Sequence, residues 1–388
     1  MRRQLLFLPG PVTVAQPVLE ALARPMINHR GEEFARLLER ITDRLRPVFG
    51  TSSDVLLLGS SGTGGLESVV ANLFSPGDRL LSCAVGAFGK RFASIAASYG
   101  CLVESLETPP GAALDPQALA ARLDADPQRQ IAGVLLTHNE TSTGVANDMA
   151  ALAPSLRAHG AITLVDSVSG LGASQFLMDE WGYDAVVSAS QKAFAAPPGV
   201  AMVAVSERAW KAVAAARSPR FYFDLQRARE AARKGQMPWT PPISIFYSLD
   251  VALQRYHAEG MESAYARHAR FAAAVRAALL RLGFTLFSRP DAHSPTVVAA
   301  YPPAGVEVTT LLERLRREHG VVLSGGIGEL AEKIVRFGTM GDVGETDLLG
   351  AIGAIELVLT DLGITTSPGA GTAAAIESLA GRVTSGVS

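Results

Sequence analysis

The sequence contains little cysteine: Cys83 and Cys101 are the only two among 388 residues. Neither belongs to a CxxC pair or to a cluster of cysteine and histidine, which excludes a structural zinc site. Both lie in apolar runs typical of buried strands, so we expect two buried, reduced thiols. We therefore expect no metal in this protein.

The sequence also lacks an excess of charge of one sign and any long hydrophobic run. Its formal net charge is −2, which indicates neither nucleic-acid binding nor attachment to an anionic membrane. No run reaches the ~18 apolar residues that a membrane-spanning helix needs. The apolar run 5–8 ends at Pro9-Gly10-Pro11 and is too short for the core of an export signal. We expect a cytoplasmic protein in which any bound anion is held by a local site.

Apolar residues are plentiful, at 48% against 19% charged residues, which is typical of a globular protein with a large core. Short apolar runs alternate with amphipathic stretches between residues 50 and 210. The runs predicted as strands are 55–58, 79–85, 102–106, 131–137, 162–166, 185–188 and 200–205, and the predicted helices include 65–74, 116–123 and 149–159. Because the runs are rich in Val, Leu and Ile without strict alternation, they favour a mostly parallel sheet buried on both faces. The pattern therefore predicts an α/β doubly wound domain.

The length of the chain allows one large domain and one smaller domain. We expect an N-terminal arm over 1–20, a large domain over 21–250, a small α+β domain over 251–364 and a flexible tail over 365–388. Residues 211–250 break the alternation and are predicted to form an irregular connection. A long helix is predicted over 249–282. It is followed by strands near 284–287, 296–301, 321–323 and 334–337 and by helices over 308–319 and 345–362.

The segment from Asp54 to Glu67 has the pattern of a strand, a small polar turn and the start of a helix. Backbone N–H groups and hydroxyls in such a turn can bind a phosphate at the positive end of the helix. The segment lacks the lysine of a P-loop and the spacing of a dinucleotide fingerprint. An ordinary strand-to-helix turn would explain it equally well.

Two ionisable residues stand at the ends of predicted buried strands. Asp166 ends the strand 162–166, where open α/β sheets bind ligands. A buried aspartate needs a partner such as a protonated pyridine nitrogen, although an aspartate that caps a loop is an alternative. Lys192 follows the next apolar strand, where burial can lower the pKa of its amine and favour Schiff-base chemistry. A phosphate turn, an aspartate and a lysine together supply what pyridoxal phosphate (PLP) requires.

Several stretches match the motifs of one known family in the family's order, from residue 8 to about residue 340. They are 8–12 (LPGPV), 59–63 (GSSGT), 136–144 (LTHNETSTG), 165–167 (VDS), 188–193 (SASQKA), 240–249 (TPPISIFYSL) and 335–338 (VRFG). On these stretches the sequence resembles the class V, fold type I, PLP-dependent aminotransferases, in particular the alanine–glyoxylate and serine–pyruvate branch. The resemblance implies a homodimer with shared active sites.

The resemblance also implies the role of each site residue. Lys192 would form the Schiff base with the cofactor and move the proton at the substrate Cα, and Asp166 would keep the pyridine nitrogen protonated. Arg336, in an apolar strand, would bind the substrate α-carboxylate together with Gly10, with a structural ion pair as the alternative for Arg336. The other implied contacts are Ser61, Gly62, Thr63 and Gln191 at the phosphate, Thr240 at the phosphate from a second subunit, Thr141 at the pyridine 3′-oxygen, and Phe88 and Val168 on the two ring faces.

Two positions depart from the family. Phe88 stands where many relatives have tryptophan, which preserves stacking on the ring but loses the indole N–H. The tyrosine that assists the phosphate across the interface in some relatives is replaced near 237–239.

The pair His29 and Arg30 allows three interpretations. In phosphoserine aminotransferases a similar pair at the substrate mouth binds a second anion. Relatives that use glyoxylate or pyruvate can also carry the pair, and an entry loop with a helix cap would need no substrate contact. The sequence alone leaves these alternatives open.

The preferred prediction is a ping-pong aminotransferase that moves an amino group from alanine or serine to glyoxylate or pyruvate. One alternative is a donor with a second anionic group, such as phosphoserine, 2-aminoethylphosphonate or aspartate, bound by His29 and Arg30. Another is a PLP lyase or cysteine desulfurase, which would need a cysteine in the C-terminal half, whereas both cysteines precede residue 102. A PLP-binding regulator is disfavoured because Lys192, Asp166 and Arg336 are all present.

Overall fold

The computed structural model describes residues 4–364 and 367–381. Its strands are β1 Leu5–Leu6, β2 Asp54–Leu58, β3 Arg79–Cys83, β4 Leu102–Ser105, β5 Ile131–Thr137, β6 Asn139–Glu140, β7 Val145–Ala146, β8 Ile162–Asp166, β9 Ala185–Ala189, β10 Ala201–Val205, β11 Thr285–Leu286, β12 Val297–Tyr301, β13 Val321–Val322, β14 Ser324–Gly325 and β15 Val335–Gly338. Its helices are α1 Gln16–Glu20, α2 Glu32–Phe49, α3 Gly62–Leu73, α4 Ala87–Ser98, α5 Pro116–Asp124, α6 Met149–His159, α7 Met178–Trp181, α8 Glu207–Ala215, α9 Leu225–Ala232, α10 Ile243–Glu259, α11 Met261–Arg281, α12 Val308–Arg314, α13 Glu345–Asp361 and α14 Ala370–Leu379.

The central sheet has seven strands in the order β2-β10-β9-β8-β5-β3-β4. The strands from β9 to β4 are parallel to one another, and β10 runs antiparallel to both β9 and β2. Every residue of β9 and β10 is buried. The predicted α/β fold with a mostly parallel sheet is confirmed, and all seven predicted strands occur with small shifts at their ends.

The register of this sheet positions the site. Asp166 at the end of β8 pairs with Thr137 at the end of β5 and with Val187 of β9. Because parallel strands end at the same edge of a sheet, the loops after β5, β8 and β9 meet there. The loop after β9 carries Lys192.

A second apolar cluster, called the C-terminal core below, packs between helices α11 to α14 and an antiparallel sheet of order β11-β12-β15-β14. The N-terminal arm belongs to it, because Phe7 is fully buried there and β1 pairs in parallel with β13. The Gly338 N–H donates to the Phe7 carbonyl at 2.7 Å. The predicted domain boundaries stay a prediction, but the arm is fastened to the C-terminal core.

Two predictions between residues 211 and 282 are wrong. The supposed irregular connection contains α9 and the start of α10, because Leu225 and Ala228 give α9 an apolar face and Asp224 caps it by accepting from the Arg227 N–H at 3.1 Å. The single helix predicted over 249–282 is two helices, α10 and α11. They are separated at Gly260, whose φ of +86° interrupts the helical backbone.

The predicted flexible tail is wrong for residues 370–379, which form α14; residues 365–366 and 382–388 lie outside the described part of the chain. The buried carboxylate of Glu356 on α13 accepts from the Gly371 N–H at 2.8 Å and from Thr372 Oγ1 at 2.7 Å. These bonds satisfy donors in the first turn of α14, which packs against α11. A tertiary contact therefore orders a segment whose composition favours flexibility.

Both cysteines are buried and free, as predicted, although Cys101 precedes β4 instead of lying within it. Burial raises the pKa of Cys83 to about 12 and that of Cys101 to about 11. None of the helices in the described ranges is both long and apolar enough to cross a membrane.

Candidate active site

Asp166 lies at the centre of the sheet edge where β5, β8 and β9 end. Its side chain is buried, and Oδ1 accepts a hydrogen bond of 3.0 Å from the Val168 N–H. Burial raises the pKa of Asp166 to about 6; Glu140 adds to the rise, whereas the Val168 N–H, Lys192 and Arg91 oppose it. A carboxylate in this environment is stabilised when a cationic hydrogen-bond donor occupies the crevice, as a protonated pyridine nitrogen would.

Lys192 follows β9, and its Nζ donates a hydrogen bond of 2.6 Å to the Pro9 carbonyl. A Cβ atom at Gly10 would lie 2.6 Å from Lys192 Cδ and 2.7 Å from Nζ, so only glycine fits beside this side chain. Burial lowers the pKa of Lys192 to about 8, an effect opposed by Asp166 and reinforced by Arg336. A larger fraction of this amine than of an ordinary lysine is neutral and able to attack an aldehyde near neutral pH.

The turn before α3 has the features of a phosphate site. The helix begins at Gly62, and no side chain in the described part of the chain caps its N-terminus, so its first N–H groups are available. Gln191 Oε1 is buried without a hydrogen-bond partner among the described residues, so its amide is free to turn its NH₂ group toward an anion. A Cβ atom at Gly62 would lie 2.7 Å from Val168 Cγ2, which requires glycine for this close approach. The turn therefore fits the phosphate of PLP.

Arg336 is buried in β15 without a carboxylate partner among the described residues. Its Nε donates to the Gly325 carbonyl at 2.7 Å and its Nη1 to the Thr141 carbonyl at 3.1 Å. Burial lowers the pKa of Arg336, opposed by Glu140. Because two carbonyls orient the guanidinium and no carboxylate within the described ranges forms a salt bridge with it, the geometry suits capture of a substrate carboxylate.

The sequence pattern of the family described as Aminotransferase class-V matches residues 17–335. The chain belongs to the class-V aminotransferases. The family implies PLP as the cofactor, and the arrangement of Lys192, Asp166 and the N-terminus of α3 is compatible with it. The predicted family and enzyme class are confirmed.

Three relatives show the range of names around this aminotransferase. It is 40% identical over 375 residues to a protein named soluble hydrogenase, small subunit, from Synechococcus sp. (strain PCC 6716), covering 96% of this chain and 97% of that one. It is 37% identical to an L-aspartate–glyoxylate aminotransferase from Paracoccus denitrificans, covering 96% and 95% of the two chains. The crystal structure of an alanine–glyoxylate aminotransferase from Nostoc sp. matches with a TM-score of 0.88 at 30% identity, covering 92% of this chain and 96% of that one.

Three further residues of the aminotransferase were predicted to contact the pyridine ring of the cofactor, and the structure gives their surroundings. Phe88 lies in the first turn of α4, with the Arg91 guanidinium 4.8 Å from its ring centre, and Val168 lies in the loop directly after Asp166. The carbonyl of the buried Thr141 binds Arg336, whereas the hydroxyl of the neighbouring Ser142 accepts from the Ala87 N–H at 2.9 Å. The roles of Phe88, Val168 and Thr141 toward the cofactor stay predictions.

Arg30 is held by the loop that precedes Thr240. Its Nη1 donates to Gln236 Oε1 at 2.9 Å and to the Met237 carbonyl at 3.3 Å. The described hydrogen bonds of Arg30 therefore involve neither Lys192 nor Arg336, and His29 is half-buried beside it. A substrate role for this pair stays a prediction.

Thr240 is exposed, as are two aromatic side chains near it. Phe221 and Tyr222 are 66% and 51% exposed and lie near Trp239, with ring centres 5.0 and 6.0 Å from its own. The Trp239 Nε1–H donates to the Tyr222 carbonyl at 2.9 Å. An exposed aromatic patch of this kind is typical of a protein interface.

Glu140 is the site residue that sequence reasoning missed. It is fully buried in the short hairpin of β6 and β7, and its carboxylate contacts both the start of α4 and Ser142. The sequence gives only a weak signal for it, an acidic residue three positions after the predicted strand 131–137, because its partners on α4 are backbone groups. Within the described ranges, no group of three or more His, Cys, Asp or Glu residues is arranged to hold a metal ion.

Proposed function

We propose that this aminotransferase holds PLP on Lys192 and moves the amino group of alanine or serine to glyoxylate or pyruvate. The observation that carries the proposal is that a buried anion, Asp166, and a buried cation, Arg336, both act on the Lys192 amine. Asp166 and Arg336 lie close enough to shift its pKa in opposite directions. This arrangement would let the amine bind the cofactor, with Asp166 as the partner of the ring nitrogen and Arg336 as the partner of the substrate carboxylate.

When bound, PLP supplies an electron-withdrawing ring that stabilises negative charge at the substrate Cα. Asp166 would hold a proton at the ring nitrogen. The Lys192 Nζ would remove the proton from the substrate Cα and deliver it to C4′ of the cofactor, because the amine is uncharged when released. Arg336 would orient the substrate through its carboxylate, and the first N–H groups of α3 with Gln191 would bind the phosphate.

We further propose a homodimer in which Thr240 reaches the phosphate of the partner subunit. Support comes from the exposure of Thr240 and from the aromatic patch of Phe221, Tyr222 and Trp239 beside it. A cytoplasmic location and the division at residue 250 into a large and a small domain complete the proposal.

The function is tested with the purified protein in two steps. Borohydride reduction should fix a pyridoxyl group on Lys192, and mass spectrometry that placed it on another lysine would overturn the site. Half-reactions followed by absorbance, with alanine, serine, aspartate and phosphoserine in turn, should convert the cofactor fastest with alanine or serine. Conversion by none of the four would refute the proposed substrates.

A donor with a second carboxylate is the second candidate, favoured by the likeness to the L-aspartate–glyoxylate aminotransferase. The hydrogenase name of another relative suggests redox chemistry at a metal cluster. An iron–sulfur cluster uses about four thiolate ligands, whereas this chain has two cysteines, both buried. The site therefore favours amino transfer.

A further inference from the structure

Glu140 carries a buried carboxylate. Among the described residues, no cationic side chain lies within ion-pairing distance of it. It ends β6, and its side chain is fully buried. A buried charge is costly unless hydrogen bonds satisfy it. The structure provides four of them.

The four hydrogen bonds come from two different elements. Oε2 accepts from the N–H groups of Phe88 at 3.1 Å and Gly89 at 3.0 Å, both in the first turn of α4. Oε1 accepts from the Ser142 N–H at 3.0 Å and from its hydroxyl at 2.7 Å. The carboxylate therefore meets the positive end of α4 while it closes its own turn.

The side chain of Glu140 packs so closely against the residue before α4 that only glycine fits there. A Cβ atom at Gly86 would lie 2.5 Å from Glu140 Cγ and 2.5 Å from Ser142 Oγ. The same hydroxyl accepts from the Ala87 N–H at 2.9 Å, which adds a further bond between the turn and the helix. The first turn of α4 is thus fixed by the turn after β6.

Two site residues depend on this junction. Phe88 stands on the first turn of α4, and Thr141, between Glu140 and Ser142, presents the carbonyl that binds Arg336 at 3.1 Å. We infer that Glu140 is a positioning residue, whose carboxylate fixes both the ring of Phe88 and, through Thr141, the guanidinium of Arg336. The inference rests on the proposed function, because it assumes that Phe88 stacks on the cofactor and that Arg336 binds the substrate.

The decisive variant is Glu140→Gln, which keeps the shape of the side chain and removes its charge. The amide retains one acceptor oxygen, and its NH₂ group can donate to the Ser142 hydroxyl but cannot bond a backbone N–H. Either the Phe88 and Gly89 N–H groups or the Ser142 N–H therefore lose their acceptor, and the bonds that remain lose the strength that the charge gives them. In the cofactor-free protein, we expect hydrogen exchange of the Phe88 and Gly89 amides to accelerate at least about tenfold. In the holoenzyme, we expect the KM of the amino donor to rise by about tenfold, since Arg336 loses the fixed carbonyl, together with weaker PLP binding.

The matched control is Glu356→Gln. Glu356 is also a buried glutamate bonded to the start of a helix, but it holds α14 in the C-terminal core. We expect it to accelerate exchange at Gly371 while leaving Phe88, Gly89 and the donor KM unchanged. If Glu356→Gln shifts the donor KM as much as Glu140→Gln does, general loosening explains the effect and the inference is wrong.

Ser142→Ala keeps the inference testable if Glu140→Gln does not fold. It removes the hydroxyl that bonds both Glu140 and the Ala87 N–H, so faster exchange at residues 87–89 and a smaller rise of the donor KM are expected. Unchanged exchange and KM in whichever of the two variants folds would overturn the inference. Failure of the proposed function is distinguishable, because wild type would then convert none of the donors while the exchange effect in the cofactor-free protein persisted.

Discussion

Burial acts in opposite directions on the two ionisable residues at the centre of the site. It raises the pKa of Asp166 to about 6 and lowers that of Lys192 to about 8. Each shift favours the neutral form of its group when the crevice holds no further charge. A positively charged ring nitrogen next to Asp166 would favour its carboxylate again.

The depressed pKa of Lys192 predicts how stability changes with pH. The pKa is about 8 in the folded chain and 10.5 for an ordinary lysine, so between these values only the unfolded chain binds the proton. The contribution of Lys192 to the free energy of unfolding therefore rises with pH across this window. We expect the cofactor-free Lys192→Met variant to exceed wild type in stability below pH 8, by a margin that shrinks toward pH 10.5 in urea unfolding. A margin independent of pH would contradict the depressed pKa.

Arg30 separates the two substrate candidates. If the donor is alanine or serine, Arg30 faces no second anion, and Arg30→Ala should change its kcat/KM only modestly. If the donor carries a distal carboxylate or phosphate, the loss should fall on that donor by ~1.5 to 3 kcal/mol, as expected for a hydrogen bond to a charged group. The measurement is the kcat/KM ratio of aspartate or phosphoserine to alanine, in wild type, in Arg30→Ala and in the exposed control Arg24→Ala. A wild-type ratio well above one that collapses in Arg30→Ala alone would favour the second candidate.

The site residues that the sequence pattern indicated before the family resemblance share one property, which is a position at or just after the end of a recognisable buried strand or at the start of a helix. Lys192 and Asp166 have this property, and so does the turn at Ser61. Glu140 escaped notice because its partners are backbone N–H groups of α4, 51 and 52 positions away, and backbone donors leave no trace in a sequence.

At the scale of elements, the sheet was predictable and the connections were less so. Strands buried on both faces are continuous apolar runs, and β5 and β8 match their predicted ranges. Helix α14 has no such signal, because its order depends on the docking of Gly371 and Thr372 onto Glu356. The break at Gly260 was also missed, since a single glycine inside a helical pattern does not by itself end a helix.

The dependence of α14 on Glu356 is testable. Glu356→Ala leaves the Gly371 N–H and the Thr372 hydroxyl without their acceptor, and we expect the free energy of unfolding to fall by about 2 kcal/mol. Urea unfolding measures this loss, and limited proteolysis should cut first near residues 367–381. Thr360→Ala, on the same helix, is the control, because its hydroxyl bonds only the carbonyl of Glu356 at 2.8 Å. Equal losses in the two variants would contradict a specific role of the carboxylate.

At the scale of the whole molecule, the proposed dimer predicts complementation between defective subunits. Lys192→Ala removes the amine, and Thr240→Asp places a carboxylate against the phosphate of the neighbouring site. In a mixed dimer one site combines the intact lysine of one chain with the intact threonine of the other. Random mixing should therefore restore about a quarter of wild-type activity.

The controls for this experiment follow from the same geometry. Thr240→Ser retains the hydroxyl and should remain active alone, whereas each defective variant alone should be inactive. A fully active monomer in analytical ultracentrifugation, or no recovery after refolding the variants together, would refute shared sites.

The N-terminal arm has a practical consequence for anyone who engineers this enzyme. Leu5 and Leu6 form a strand on the C-terminal core, and Phe7 is buried in that core. The Pro9 carbonyl accepts a hydrogen bond of 2.6 Å from the Lys192 amine. A purification tag or fusion partner attached in front of the arm would disturb a segment that contacts the Lys192 amine, which is the reactive nitrogen in the proposed function. An attachment after α14 acts on a helix that is fastened to α13 instead, so immobilisation and fluorescent labelling belong at the carboxyl end.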